Sequence, residues 1–179
     1  WRTHLLSFLA RIPRRYGYKR GPAGFLLTHP VLIWDRRLKP IEHQFQVLKR
    51  AGIVHFEDRM ELWPEPGGEV YVAKKLETLT NGGSRPIVGF ALGASSRWPT
   101  KQWPLERFLV LAKELLEKLG CAVVLLGTGE DQPHARAFDG IRTKDVLDLT
   151  GQTTLTQLVN WVMRLDVLVT GDTAPLHIA

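Results

Sequence analysis

Residues 166–179, D-V-L-V-T-G-D-T-A-P-L-H-I-A, decide the fold. Val167, Leu168 and Val169 form an apolar run too short for a helix and closed by Gly171, which predicts a buried parallel strand. Asp172, Thr173 and Pro175 then supply helix-start chemistry: a capping oxygen, and a proline in the first turn where no N–H is required. A strand that passes through glycine into a helix N-terminus exposes backbone N–H groups and a partial positive charge, a seat for phosphate. Asp172 would repel that phosphate. Its carboxylate suits a sugar hydroxyl or a cap, whereas Thr173 and the N–H groups behind it suit the anion. On this stretch alone an ordinary strand-to-helix turn with Asp172 as a plain cap is the commoner explanation, since Asp is a frequent cap.

Upstream the same alternation recurs. Residues 87–92, 122–126 and 146–149 predict strands, and residues 105–119 predict the clearest helix, with Leu105, Phe108, Leu109, Ala112, Leu115, Leu116 and Leu119 on one face. Pro104 opens that helix and Gly120 closes it. A weaker helix covers residues 134–138, and another covers 155–165 behind a cap at Thr153 or Thr154. Strand and helix in alternation mean a parallel sheet covered on both faces. Nearer the N-terminus, residues 1–12 have near-helical apolar spacing, stopped by Pro13. A basic connection punctuated by Gly and Pro follows, with room for one short strand, and residues 26–32 read as irregular. Helices are expected over 41–52 and 69–79, separated by a loop at 58–68. The N-G-G-S run at 81–84 has the strongest linker composition, so domains are expected at 1–84 and 85–179.

The composition is that of an ordinary globular chain of 179 residues, with 44% hydrophobic and 23% charged side chains. The lone cysteine, Cys121, lies in an apolar run and is expected to be buried in a reducing compartment. No apolar stretch is long enough for a membrane span. The chain shows no signal peptide and breaks off as its last helix begins, so a cytoplasmic protein of greater length is expected. Its net charge of +6 is unevenly placed: residues 1–50 hold eleven Lys/Arg against Asp35 and Glu42, a surplus of nine, and the remainder carries −3. A basic front half suits an anionic partner, whether nucleic acid, a lipid headgroup surface or a phosphorylated acceptor; it also suits a simply solvated face.

In an open parallel sheet, ligands collect at the loops leaving the carboxyl ends of the strands. Three such loops share a character. Residues 93–103 begin with small residues, offer Ser95 and Ser96 as donors and Lys101 as a mobile cation, and end W-P at a helix start. The G-T-G-E run puts Glu130 after a tight turn at Gly129, where a carboxylate can take the two hydroxyls of a ribose. Residues 171–177 form the third loop. Together they make a nucleoside-diphosphate site credible. No His/Cys/Asp group stands at metal-ligand spacing.

The segments G-A-S-S-R-W-P-T-K-Q-W-P-L-E-R-F, V-V-L-L-G-T-G-E-D, L-T-G-Q-T-T-L-T-Q-L and V-T-G-D-T-A-P-L-H-I-A resemble, in order and spacing, the heptosyltransferase family (glycosyltransferase family nine). The likeness covers essentially the whole chain, and K-x-W-P with D-[ST]-x-P-x-H is fairly specific. It implies a glycosyltransferase-B architecture of two Rossmann-like α/β domains, both incomplete here. It implies a donor, ADP-heptose, in the second domain and a lipid A-type inner-core acceptor on the first, at an anionic membrane surface, without nucleic acid. By the same resemblance Ser96 and Lys101 hold the donor phosphates, Glu130 the ribose, and Asp172 the transferred sugar, with Thr173 and Ala174 at the diphosphate. His177 is the motif histidine, its role open. Inverting, metal-independent transfer without a cofactor is implied, with the general-base Asp upstream of this chain, so the chain alone is expected to be inactive. Many relatives have glycine where Ala174 stands. A nucleotide-sugar epimerase of similar fold and a non-catalytic basic module binding anionic lipid or nucleic acid are the alternatives.

Overall fold

A computed structural model describes residues 2–32, 35, 37–54, 57, 61–94, 97–141 and 144–179. The chain divides into two compact units, Trp1–Met60 and Glu61–Ala179. In the first, helix α1 (Arg2–Leu9) precedes strand β1 (Tyr16–Tyr18), which pairs in parallel with β2 (His29–Val31). Leu6 and Leu9 on α1 are exposed. Strand β2 lies within a stretch whose sequence reads as irregular, because Pro30 sits at its centre. Pro30 is tolerated because the ladder uses its neighbours: His29 N–H donates to Arg15 C=O, and Val31 C=O accepts from Lys19 N–H. Helix α2 (Pro40–Arg50) packs on this pair, and the Tyr18 hydroxyl donates to the His43 carbonyl at 3.1 Å.

The second unit begins with helix α3 (Gly68–Thr80) and continues through β3 (Ile87–Ala91), α4 (Leu105–Leu119), β4 (Ala122–Leu126), α5 (Gln132–Arg136), β5 (Val146–Asp148), α6 (Leu155–Val162), β6 (Val167–Thr170) and α7 (Ala174–Ile178). Every strand pairing is parallel, in the order β5-β4-β3-β6. Alternate residues of β4 fill opposite cores, as a period of two requires. Val123 and Leu125 join Phe90, Phe108, Ala112 and Phe138 under α4 and α5. Ala122, Val124 and Leu126 join Val72, Leu76, Leu79 and Trp161 under α3 and α6. The sheet is therefore covered on both faces. Cys121 is buried in the first of these cores.

Three particulars differ from the sequence reading. Strand β6 forms as predicted but on the edge of the sheet, with Val167 half exposed rather than buried. The compact units part at 60/61 instead of 84/85, because α3 supplies Val72, Leu76 and Leu79 to the second core. The N-G-G-S run, despite its linker composition, is a helix C-terminus: Asn81 is left-handed at φ 52°, and Gly82 N–H donates to Glu77 C=O. Arg85, just beyond, is pinned by the Asp145 carboxylate at 2.6 Å and by the Leu79 carbonyl.

Candidate functional site

The loops leaving β3, β4, β5 and β6 enclose a cavity of about 690 Å³ at the carboxyl edge of the four-stranded sheet. That size lies within the usual range of small-molecule sites. The β3 loop contributes Gly93, Ala94, Trp98 and Lys101, the β4 loop Gly127 to Asp131, the β5 loop Gly151 and Thr153 to Leu155, and the β6 loop Asp172 to Pro175. Lys101, Gly129, Glu130, Asp172, Thr173 and Ala174 thus line one cavity. His177 does not line it but stands beside it, Nε2 at 3.8 Å from Asp172 Oδ1. Ser96 lies outside the described residues.

Strand order dictates which loops touch. Because β3 and β6 are neighbours, the Lys101 turn meets the 171–173 turn directly. Gly171 is required there: a Cβ would stand 2.0 Å from the Lys101 carbonyl oxygen. Lys101 Nζ reaches Asp172 Oδ2 at 2.6 Å, with both side chains about half exposed. The hydrogen bond from Lys101, then its positive charge, holds the Asp172 carboxyl below its ordinary value, with a further small pull from His177. An ion pair this open to water is weak, so an incoming anion can take Lys101 from Asp172. Asp172 is therefore not the plain cap that its position allowed. Thr173 occupies the N-cap position of α7 without a capping hydrogen bond from its side chain; its hydroxyl lies 3.1 Å from that of Thr170. Helix α7 has only five residues and carries little macrodipole, which leaves Lys101 as the stronger anion ligand.

The other half of the cavity is built from β4 and β5. Gly151 N–H donates to Gly127 C=O at 2.9 Å, stitching the two loops together. Thr154 caps α6, its hydroxyl accepting from Gln157 N–H. Glu130 is exposed at the rim. The buried carboxylate is its neighbour Asp131, whose Oδ2 accepts from Thr128 N–H at 2.7 Å and Thr128 Oγ1 at 2.9 Å. Its carboxylate also packs against Gly93, where a Cβ would stand 2.2 Å from Oδ1. The T-x-x-D spacing of a capping box marks Asp131 in the sequence, and reading only the glycines and Glu130 passes over it. Gln102 is a second such residue: its Nε2 donates to Leu92 C=O at 3.0 Å and ties the Lys101 turn to the end of β3.

A family model for glycosyltransferase family 9 (heptosyltransferase) matches residues 1–179. The chain belongs to this family. It is 28% identical over 192 residues to lipopolysaccharide heptosyltransferase 2 of Escherichia coli K12, covering all of this chain and 53% of that protein. It is 35% identical over 196 residues to lipooligosaccharide heptosyltransferase 2 of Haemophilus ducreyi, again covering all of this chain and 54% of the relative. Among solved structures, the E. coli ADP-heptose LPS heptosyltransferase II superposes with a TM-score of 0.73 at 24% identity, over 99% of this chain and 56% of the other. The family 9 glycosyltransferase of Veillonella parvula gives 0.77 at 20% identity, over 99% and 51%. The chain thus spans about half the length of these relatives. The fold is the α/β, parallel-sheet glycosyltransferase-B type. Among the described residues no helix is long and apolar enough to cross a membrane, and no group of three His, Cys, Asp or Glu could hold a metal ion.

Proposed function

We propose that the full protein transfers heptose from ADP-heptose to the inner core of a lipopolysaccharide acceptor, and that the unit Glu61–Ala179 holds the donor. The observation that carries this reading is the meeting of Lys101, Glu130 and Asp172, from three separate loops, around one cavity in a member of the heptosyltransferase family. Lys101 is tied to Asp172. A diphosphate takes Lys101, a charge-assisted contact stronger than the exposed pair it replaces. Asp172 is then released to accept hydrogen bonds from hydroxyls of the sugar. On the β4 side, Glu130 and the second oxygen of Asp131 offer carboxylate acceptors to the ribose.

During transfer the bond between the sugar's anomeric carbon and the diphosphate oxygen breaks, and the electron pair leaves with ADP. The Lys101 ammonium offsets the charge that grows there, an electrostatic contribution requiring no metal ion. The acceptor oxygen attacks from the opposite face, inverting the centre, and its proton passes to a base outside the 179 residues. The basic unit Trp1–Met60 has the charge to draw a phosphorylated lipid acceptor, and with it an anionic bilayer surface, in preference to nucleic acid.

The test is calorimetric titration of the full-length protein with ADP- and UDP-sugars, followed by transfer of labelled ADP-heptose to heptose-deficient lipopolysaccharide. ADP-heptose binding and label in the lipid fraction are expected. Binding with epimer exchange but no transfer would assign an epimerase, and lipid docking with no nucleotide binding would assign a non-catalytic module.

A further inference from the structure

The donor cavity is lined by loops in the strand order β5-β4-β3-β6, so the β3 loop stands between those of β4 and β6. The β4 and β5 loops, stitched by Gly151 N–H to Gly127 C=O, carry Glu130, Thr153 and Thr154. The β3 and β6 loops, locked by Gly171 against Lys101 and by the Lys101–Asp172 ion pair, carry the groups suited to diphosphate and sugar. Two tryptophans flank Lys101, and their environments differ. Trp103 is half-buried, edge-on to Phe108 with ring centroids 4.7 Å apart, and belongs to the core. Trp98 is 57% exposed and lines the cavity. Lys101 N–H donates to the Trp98 carbonyl at 3.0 Å, so one tight turn fixes Trp98 to the Lys101 side.

We propose that Trp98 is the aromatic wall against which the transferred sugar packs, and hence a residue that selects the sugar rather than the nucleoside. The proposal rests on the nucleotide-sugar reading of the site. An indole left half exposed beside a cation costs hydration in the free protein and gains a partner when a ligand covers it. Sugar rings present a face of C–H groups carrying partial positive charge. The indole face is electron-rich, so the two attract beyond simple area burial. On the nucleotide-sugar reading Glu130 of the β4 loop takes the ribose, whereas Trp98 shares its turn with Lys101, beside Asp172, which assigns the indole to the sugar end of the ligand.

The experiment compares full-length wild type, Trp98→Ala and Trp98→Phe by calorimetry with ADP-heptose and with ADP alone. Trp98→Ala is expected to bind ADP-heptose about tenfold more weakly, the scale of losing one stacked aromatic contact, and ADP as tightly as wild type. Trp98→Phe is expected to recover most of the loss. Because Trp98 is in neither core cluster of the described residues, all three proteins should unfold at the same temperature. Equal weakening toward ADP and ADP-heptose would place the indole on the nucleoside, and no weakening toward either would leave it without a role; both overturn the proposal while sparing the donor site. Failure of the wild type to bind any nucleotide sugar would overturn the donor reading and this inference with it.

Discussion

Replacing Gly171 by alanine tests the architecture of the site without touching any group that contacts a ligand through its side chain. The added Cβ would stand 2.0 Å from the Lys101 carbonyl oxygen and 3.2 Å from the carbonyl carbon, whereas contacts under 3.0 Å are essentially never seen. Both neighbours are backbone atoms, so no side chain can rotate away, and the two loops must part by about 1 Å or more. Overpacking of this kind typically costs about 1–3 kcal/mol of stability. The functional loss should be larger than the stability loss suggests, because the same displacement pulls the Lys101 and Asp172 backbones apart. Misplacing a catalytic group by about 1 Å can lower a rate about 100-fold. Thermal unfolding and kcat/KM for transfer, measured on the full-length protein, read the two effects separately. Gly140→Ala is the control, since a Cβ there meets nothing within 4 Å and the backbone is not left-handed. Should Gly171→Ala match Gly140→Ala in both assays, the close approach of the β3 and β6 loops would not be what builds this site.

Further outcomes follow from individual contacts. Lys101→Ala should abolish measurable ADP-heptose binding by calorimetry while leaving the unfolding midpoint within error, because the ion pair it removes is exposed. Asp131→Ala should cost about 1–2 kcal/mol through the lost cap on Thr128, and Asp131→Asn less, both read by denaturant unfolding. Phe108→Ala should cost about 3–5 kcal/mol by denaturant unfolding, since the ring is enclosed between α4 and the sheet. The depressed Asp172 carboxyl makes its ion pair fully present above the ordinary value of 3.8 and lost only as pH falls through a lower one. An NMR titration of the Asp172 carboxyl should therefore give a midpoint below 3.8 in wild type and one nearer 3.8 in Lys101→Ala; the same midpoint in both would contradict the assignment.

The four-stranded core was legible because its signals are local. Residues 105–119 satisfy helical period, proline start and glycine stop at once, and the observed helix has those bounds. Residues 122–126 form a strand with those bounds. Where the chain departed from its sequence pattern, a tertiary contact had overruled composition. The N-G-G-S run caps a helix because α3 is held by the sheet, and Pro30 enters a strand because its neighbours carry the hydrogen bonds. The site was legible to the extent that its groups follow strands directly. Lys101, Glu130 and Asp172 are visible in this way; Asp131 shows only through its T-x-x-D spacing with Thr128, and Trp98 not at all. An exposed indole and a core one become distinguishable only when the loops around them are folded.

Strand order explains more of the site than any single motif does. With β3 and β6 adjacent, the cation of one loop and the carboxylate of the next are forced together, and the lysine holds the Asp172 carboxyl below its ordinary value. With β4 and β5 on the other side of β3, Glu130, Thr153 and Thr154 complete the lining. A linear ligand carrying hydroxyls at both ends and negative charge in the middle matches that layout, whereas a compact anion would use only Lys101. The same layout accounts for the glycines at 171 and 93: each stands where one loop passes against another, and a Cβ there would meet the Lys101 carbonyl oxygen or the Asp131 carboxylate.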